Sequence, residues 1–153
     1  MSIKPKSTVT LRANAHCPSH SKSDVHIRDL QFLIDEPIER GGTNLGPTPT
    51  DTAISALIGC TNVIGHKCAA KMGIDIGHLD IQAACEFERA GVTLQSEVEV
   101  PFKRIELVIQ CSGSASQSEL EELAREVAKF CPLSKLFRNS GTTINETWQP
   151  KTA

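Results

Sequence analysis

Alternation of apolar and polar residues predicts strands in several parts of the chain. In residues 8–15 (TVTLRANA), β-branched or apolar side chains alternate with polar ones, which is the pattern of a half-buried strand. A polar turn is predicted at 16–23, and a loop at 35–49, where Gly and Pro concentrate after Arg40. The same alternation predicts the remaining strands at 24–28, 30–34, 78–89, 95–100, 104–112 and 142–148.

A long helix is predicted between residues 50 and 72, where no Pro interrupts a run of helix-forming residues. Thr50 or Asp51 can cap its start, and Gly73 can end it as a left-handed residue. The span would be about 33 Å long. Residues 52–66 carry no charge and their apolar side chains cover more than one face, so we expect burial nearly all round. A chain of 153 residues is too small to bury a helix of this length on all sides. We therefore favour a partner subunit that covers part of the helix, and the alternative is a central helix that crosses one large sheet.

A second, amphipathic helix is predicted at residues 116–130. Ser116 can cap it, with Glu119 three residues later as in a capping box. A short turn or helix follows at 131–137, and Pro132 fits the first helical position, which puts Cys131 at an N-cap. The order of the elements predicts the α+β class: an antiparallel sheet packed on a long central apolar helix, within a single domain of residues 1–153.

Composition excludes several kinds of partner. With 18 acidic and 16 basic residues the formal net charge is −2, so we expect no nucleic-acid partner. No apolar run is long enough for a signal peptide or a membrane crossing, so we expect no membrane partner and a reducing cytoplasmic location. Residues 1–7 are expected to be loosely held.

Six cysteines make thiol chemistry the main question. Cys60 lies in the middle of the long helix, beyond the reach of the helix dipole, so a cation that activates it would have to come from elsewhere. The local sequence supports a reactive thiol at Cys131, because the N–H groups at a helix N-terminus favour a thiolate. The other cysteines are expected to pack in the interior or to lie in a turn: Cys68, Cys85 and Cys111 in the former group and Cys17 in the latter.

A metal site is a further alternative, because His16, Cys17 and His20 are close together in the predicted turn. A solvated polar turn is the favoured interpretation of these residues, and we expect no bound metal and no cofactor.

Two segments together resemble the OsmC/Ohr superfamily. Residues 46–61 (GPTPTDTAISALIGCT) are similar to the segment that leads into its central helix and carries its first cysteine. Residues 131–134 (CPLS) are similar to the segment that carries its second cysteine. The Gly-Cys-Thr sequence at Cys60 is closer to the broad OsmC-like branch than to the organic hydroperoxide resistance branch.

The resemblance implies an intertwined homodimer and a thiol-dependent peroxidase. By this similarity Cys60 is the peroxidatic residue and Cys131 the resolving one. The substrate is then a small hydroperoxide, and an external dithiol reduces the resulting disulfide, with no cofactor.

The chain also departs from the family pattern. Members of the hydroperoxide branch use a Glu just after the Pro that leads into the helix, whereas here Thr50 follows Pro49 and Asp51 comes next. They also use an Arg from the N-terminal region, for which Arg12, Arg28 and Arg40 are the candidates. This departure leaves open a second function on the same fold, a weakly active redox sensor or a protein that binds a small apolar ligand.

Overall fold

The computed structural model describes residue 4 and residues 7–153, and it divides into two compact units. One unit ends at Ala53, and the other comprises Ile54–Ala153. Both contain strands, and helices are interspersed with them, which confirms the α+β class. Residues 1–7, which are expected to be loosely held, lie mostly outside the described residues. The assignment of a single domain stays a prediction.

The first unit contains a three-stranded antiparallel sheet in the order β1-β2-β3. The polar turn predicted before β2 is confirmed, as are the two strands predicted at 24–28 and 30–34. The three strands are β1 (Asn14–His16), β2 (Ser23–Ile27) and β3 (Leu30–Ile34).

The strand predicted at residues 8–15 is wrong for most of its length, because β1 begins only at Asn14. Asn14 pairs with His26, one residue before β2 ends at Ile27, so β2 has almost no further residue for a longer ladder. Residues 8–13 are exposed and form no strand. Alternation therefore predicted a strand where no neighbouring strand is long enough to pair with it.

A buried aspartate organises the predicted loop after β3. The Asp35 carboxylate accepts the backbone N–H groups of Glu36 (2.8 Å), Thr43 (3.1 Å) and Leu45 (3.2 Å). It also accepts the Thr43 hydroxyl at 2.5 Å. These donors lower the pKa of Asp35 well below its usual range, the Thr43 hydroxyl contributing most. Apart from a short 3-10 turn (Ile38–Arg40), the loop prediction is confirmed.

The long helix α1 (Pro49–Met72) matches its prediction, but its cap does not. Thr48 caps the helix in place of Thr50 or Asp51, because Pro49 takes the first helical position. The Thr48 hydroxyl accepts the Asp51 N–H (3.1 Å), and the Asp51 carboxylate accepts the Thr48 N–H (3.2 Å). At the other end, the predicted left-handed Gly73 is confirmed, with φ of 69°.

Within one chain, α1 is buried along one stripe rather than all round. Val63 is 51% exposed, and Gly59 is exposed as well. Gly65 lies against the Trp148 ring, so the helix and the second sheet approach closely there. Burial of the remaining face by a second copy stays a prediction. The buried stripe consists of Leu57, Thr61, Gly65, Cys68 and Ala69.

The second unit contains a three-stranded sheet in the order β4-β5-β6. β4 (Leu79–Phe87) and β5 (Phe102–Cys111) are antiparallel, as predicted, with an irregularity between Glu86 and Phe87. β6 (Thr143–Pro150) is parallel to β5, which corrects the prediction of an entirely antiparallel sheet. The reason is the connection: two helices lie between β5 and β6, and a long crossover of this kind can bring the chain back in the same direction.

No strand forms at residues 95–100, so that prediction is wrong. The backbone there closes on the preceding turn, where the N–H of Gln95 donates to the carbonyl of Ala90 at 2.9 Å and Leu94 has φ of 60°. A backbone engaged within its own turn has no groups left for a ladder.

Two helices cover one face of the second sheet. In α2 (Gln117–Phe130), the predicted capping box of Ser116 and Glu119 is confirmed, and Leu120, Leu123 and Val127 form its buried stripe. The short helix α3 (Pro132–Asn139) follows and packs on β6, as α2 does. Among the described residues, no helix combines the length and hydropathy that a bilayer crossing requires. The fully buried side chains of β5 in this core are Ile105, Leu107 and Ile109, joined by Cys111.

Candidate functional site

Two cysteines that lie 71 residues apart in the sequence meet in the second unit. The thiol of Cys131 donates a hydrogen bond to the sulfur of Cys60, with 3.2 Å between the two Sγ atoms. Cys60 follows Leu57 by one helical turn in α1, and Cys131 lies at the junction of α2 and α3. Both cysteines are free thiols. The structure therefore brings together the two residues that the sequence singled out.

Cys131 is fixed by both helices that it joins. Its backbone N–H donates to the Val127 carbonyl at 2.9 Å and so ends α2. Its side chain caps the start of α3, where the sulfur accepts the Ser134 N–H at 3.4 Å. This confirms the N-cap position that Pro132 predicts. With 0% exposure, the Cys131 sulfur has little freedom to move away from Cys60.

Burial keeps the Cys131 thiol protonated at neutral pH. Loss of solvation raises its pKa to about 11, and the neighbouring Cys60 acts in the same direction. The N–H groups of Ser134 and Leu133 oppose this by favouring the thiolate. A protonated Cys131 is the form that donates a hydrogen to Cys60.

Cys60 is half-buried, in contrast to the fully buried Cys131. Its sulfur accepts the Cys131 thiol, which in turn accepts the Ser134 N–H. The arrangement is therefore a relay of donors that begins at the N-terminus of α3 and ends on the accessible thiol.

The remaining cysteines lie in other surroundings. Cys68 and Cys111 are buried, and burial raises the pKa of both, that of Cys111 to about 11. Cys85 is half-buried on β4, and loss of solvation raises its pKa as well. Cys17 is exposed and its thiol donates to the Ser23 hydroxyl at 3.4 Å. Packing positions for Cys68 and Cys111 and a turn position for Cys17 are confirmed.

The other candidate residues belong to the unit that ends at Ala53. Arg40 pairs with Glu36 at 3.0 Å, and Arg12 is exposed. The Thr50 hydroxyl lies 3.1 Å from that of Thr48, and Asp51 takes part in the cap of α1. Arg28 occupies the turn between β2 and β3 with φ of 56°. A role of these residues in activating Cys60 stays a prediction.

Two residues near the cysteine pair were not predicted. Arg138, in the last turn of α3, donates from Nε to the hydroxyl of Ser134 at 3.1 Å. Ser134 is the residue whose N–H reaches the Cys131 sulfur, and it is 1% exposed. The spacing of four residues between Ser134 and Arg138 is the one pattern in the sequence that could have indicated this contact.

Within residue 4 and residues 7–153, no three His, Cys, Asp or Glu side chains converge as metal ligands. The turn with His16, Cys17 and His20 is exposed throughout.

Comparisons with known proteins agree with this architecture. A family model described as OsmC-like protein matches residues 42–147. An OsmC-like protein from Mycoplasma pneumoniae superposes with a TM-score of 0.74 at 17% identity, over 92% of this chain and 98% of that one. An organic hydroperoxide resistance protein OsmC from Legionella pneumophila superposes with a TM-score of 0.68 at 19% identity, over 96% of this chain and 100% of that one. The organic hydroperoxide resistance protein OhrB of Bacillus subtilis superposes with a TM-score of 0.64 at 19% identity, over 92% of this chain and 98% of that one. No curated protein matches the chain in sequence.

Proposed function

The chain belongs to the OsmC-like protein family, and from this membership we propose that it is a thiol-dependent hydroperoxide reductase. The observation that carries the proposal is the 3.2 Å contact in which the Cys131 thiol donates to the Cys60 sulfur. Cys60 is the peroxidatic residue in this proposal and Cys131 the resolving one. Solved structures with the same fold are named organic hydroperoxide resistance proteins, which supports an organic hydroperoxide as the substrate.

The first step oxidises Cys60. Its thiolate attacks the terminal oxygen of the hydroperoxide, the O–O bond breaks, and the departing alkoxide takes up a proton to leave as alcohol. Cys60 is left as a sulfenic acid. The half-buried position of Cys60 supports this role, since the hydroperoxide must reach it.

The second step forms a disulfide. Cys131 loses its proton and attacks the Cys60 sulfur, the S–O bond breaks, and the hydroxide that departs takes up a proton to become water. The two sulfurs need only about 1 Å of further approach to reach bonding distance. An external dithiol then reduces the disulfide by exchange and restores both thiols.

The proposal includes a homodimer in a reducing, cytoplasmic compartment. The exposed face of α1 around Val63 supports the dimer, because an apolar helix face gains stability when a second copy covers it. A reducing compartment supports the mechanism, because it supplies the dithiol and keeps all six cysteines as thiols between turnovers.

The experiment is consumption of an organic hydroperoxide in the presence of a dithiol. We expect catalytic turnover by the unmodified chain and by Cys17→Ser, which changes an exposed thiol on the other unit. Cys60→Ser is expected to reduce turnover to the rate without protein. Equal rates for Cys60→Ser and the unmodified chain would reject the assignment.

A second candidate is a redox sensor or a protein that binds a small apolar ligand. It is favoured by Thr50, which stands where the hydroperoxide branch has a Glu. In that case Cys60 reacts once and slowly, without turnover. Oxidation of Cys60 that dithiol reverses, with a turnover rate no greater than that of the dithiol alone, would select the sensor.

A further inference from the structure

Arg138 is connected to the cysteine pair through hydrogen bonds within α3. Its Nε donates to the Ser134 hydroxyl, and the Ser134 N–H donates to the Cys131 sulfur. The side chain of Arg138 thus reaches back over one helical turn toward the N-terminus of α3, as side chains on helices do. Three consecutive contacts connect the guanidinium to Cys60, the last of them between the two sulfurs.

Glu146, on β6, is the acidic residue whose pKa the charge of Arg138 influences. Glu146 lies between the buried residues Ile144 and Trp148 on the inward face of the strand, a position where an apolar side chain is the rule. Burial raises its pKa, while the charge of Arg138 and the Trp148 indole N–H act in the opposite direction. A carboxylate at an inward position costs free energy, which the hydrogen bond from the Trp148 indole N–H (3.3 Å) offsets in part.

The resolving step is where this support matters. Cys131 must lose its proton to attack Cys60, and its burial opposes that loss. The backbone N–H groups of Ser134 and Leu133, in the first turn of α3, lower the pKa of Cys131 and so act against the effect of burial. An N–H helps only while it points at the sulfur, and Ser134, at 1% exposed, is oriented by its bond from Arg138.

We propose that Arg138 is a positioning residue for the resolving step, which holds Ser134 so that its N–H stays directed at the Cys131 sulfur. The inference rests on the proposed function, because it concerns the disulfide-forming step of that reaction. Arg138 touches neither the hydroperoxide nor the reacting sulfurs and acts through Ser134.

Other charged and titratable groups lie on the elements that flank this junction. Glu126 and Lys129 in the last turns of α2 pair at 2.9 Å. α1 contributes the Cys60 thiol, and β6 contributes Glu146. The pH dependence of the resolving step should therefore report mainly on Cys131 and Glu146, the two groups here whose pKa burial raises.

The test separates the two steps of the reaction in time. Reduced protein is mixed with one equivalent of an organic hydroperoxide, and two rates are followed across pH: formation of Cys60 sulfenic acid, trapped with a 1,3-dione, and formation of the Cys60–Cys131 disulfide. The variants are Arg138→Gln, Ser134→Ala and the double variant. Arg104→Gln is the matched control, because Arg104 is an exposed arginine that pairs with Glu86 on the sheet.

We expect Arg138→Gln and Ser134→Ala to slow disulfide formation about fivefold at pH 7, the change that loss of one such charged contact gives. In both variants the pH dependence of the disulfide-forming rate should shift to higher pH, because Cys131 then ionises less readily. The double variant should be no slower than the slower single variant, because both remove the same contact. Formation of the sulfenic acid should stay within about twofold of the unmodified chain, and Arg104→Gln should match it in both steps.

An unchanged disulfide rate and pH profile in Arg138→Gln would overturn the inference, as would additive losses in the double variant. Arg138 is exposed, so its replacement leaves no cavity and the variant is expected to fold. If the unmodified chain forms no sulfenic acid at Cys60, the proposed function itself fails. If the unmodified chain forms the sulfenic acid normally and the variants form the disulfide at an unchanged rate, only the role of Arg138 is rejected.

Discussion

The Cys131 thiol donates to the Cys60 sulfur across 3.2 Å, although the two residues belong to different helical segments. The donor is fully buried and the acceptor is half-buried. In the proposed function this asymmetry gives the two residues different tasks: the accessible sulfur would react with the substrate, and the enclosed sulfur would then form the disulfide with it. Each of the following predictions tests a part of this arrangement or of the fold that supports it.

Replacing the buried cysteine should separate oxidation from resolution. In Cys131→Ser we expect Cys60 to react with hydroperoxide and to accumulate as sulfenic acid, because no second thiol is in contact with it. Serine is itself a good N-cap, so α3 should remain in place. Mass spectrometry should show one added oxygen on Cys60 and no intramolecular disulfide. Rapid disulfide formation between Cys60 and another cysteine in this variant would contradict the assignment of Cys131.

The buried thiol of Cys111 should make stability fall at alkaline pH. Burial raises its pKa from 9.0 to about 11, so the folded chain holds this proton more tightly than the unfolded chain does. Its contribution to the free energy of unfolding is therefore complete below pH 9 and is lost as pH rises toward 11. Denaturant titrations of Cys111→Ala should show a smaller decline over this range than the unmodified chain. An equal decline in both would contradict the prediction.

The Asp35 carboxylate should stabilise the loop after β3 at neutral pH. Its pKa is lowered in the folded chain, so its contribution is present above the ordinary value of 3.8 and is lost as pH falls below it. Asp35→Asn should unfold at lower denaturant concentration at pH 7 and should show a flatter dependence on acid pH. Asp29→Asn, in the exposed turn between β2 and β3, is the matched control and should resemble the unmodified chain.

Gly65 should tolerate no side chain, because α1 and the second sheet meet there. A Cβ on Gly65 would lie 2.9 Å from the Trp148 ring, which is itself 2% exposed and has little room to move. We expect Gly65→Ala to lower the free energy of unfolding by about 1–3 kcal/mol.

Gly59→Ala is the matched control for this substitution. It lies in the same helix with nothing within 4 Å of its Cβ, and it should raise stability by about 0.5–1 kcal/mol. Changes of the same sign in both variants, measured by denaturant titration, would contradict the packing of α1 against Trp148.

Local chemistry accounts for the parts of the fold that the sequence predicted well. The bounds of α1 followed from the uninterrupted helix formers and Gly73, and the N-cap position of Cys131 followed from Pro132. Both depend on residues within a few positions of one another. The cap at Thr48 escaped prediction because Pro49 shifts the start of the helix by one residue.

Long-range relationships were harder to predict. The parallel pairing of β6 depends on how α2 and α3 return the chain, and alternation within a strand carries no information on direction. The strand predicted at 95–100 does not form because its first residues bond back to Ala90 in the preceding turn, and alternation does not indicate such a turn. The contact between Cys60 and Cys131 was predicted through family resemblance alone, since spacing in the sequence does not determine distance in space. Arg138 was missed because its proposed role depends on a contact with Ser134 and, through it, on the position of Cys131.

The most direct test of the account is the fate of the thiols after one equivalent of organic hydroperoxide is added to the fully reduced chain. Thiol titration and peptide mapping by mass spectrometry would be used, with Cys60→Ser as the control. We expect two of the six thiols to disappear per chain, with one disulfide joining Cys60 and Cys131, and no loss in the control. Six remaining thiols, or a disulfide that excludes Cys60, would contradict the central claim.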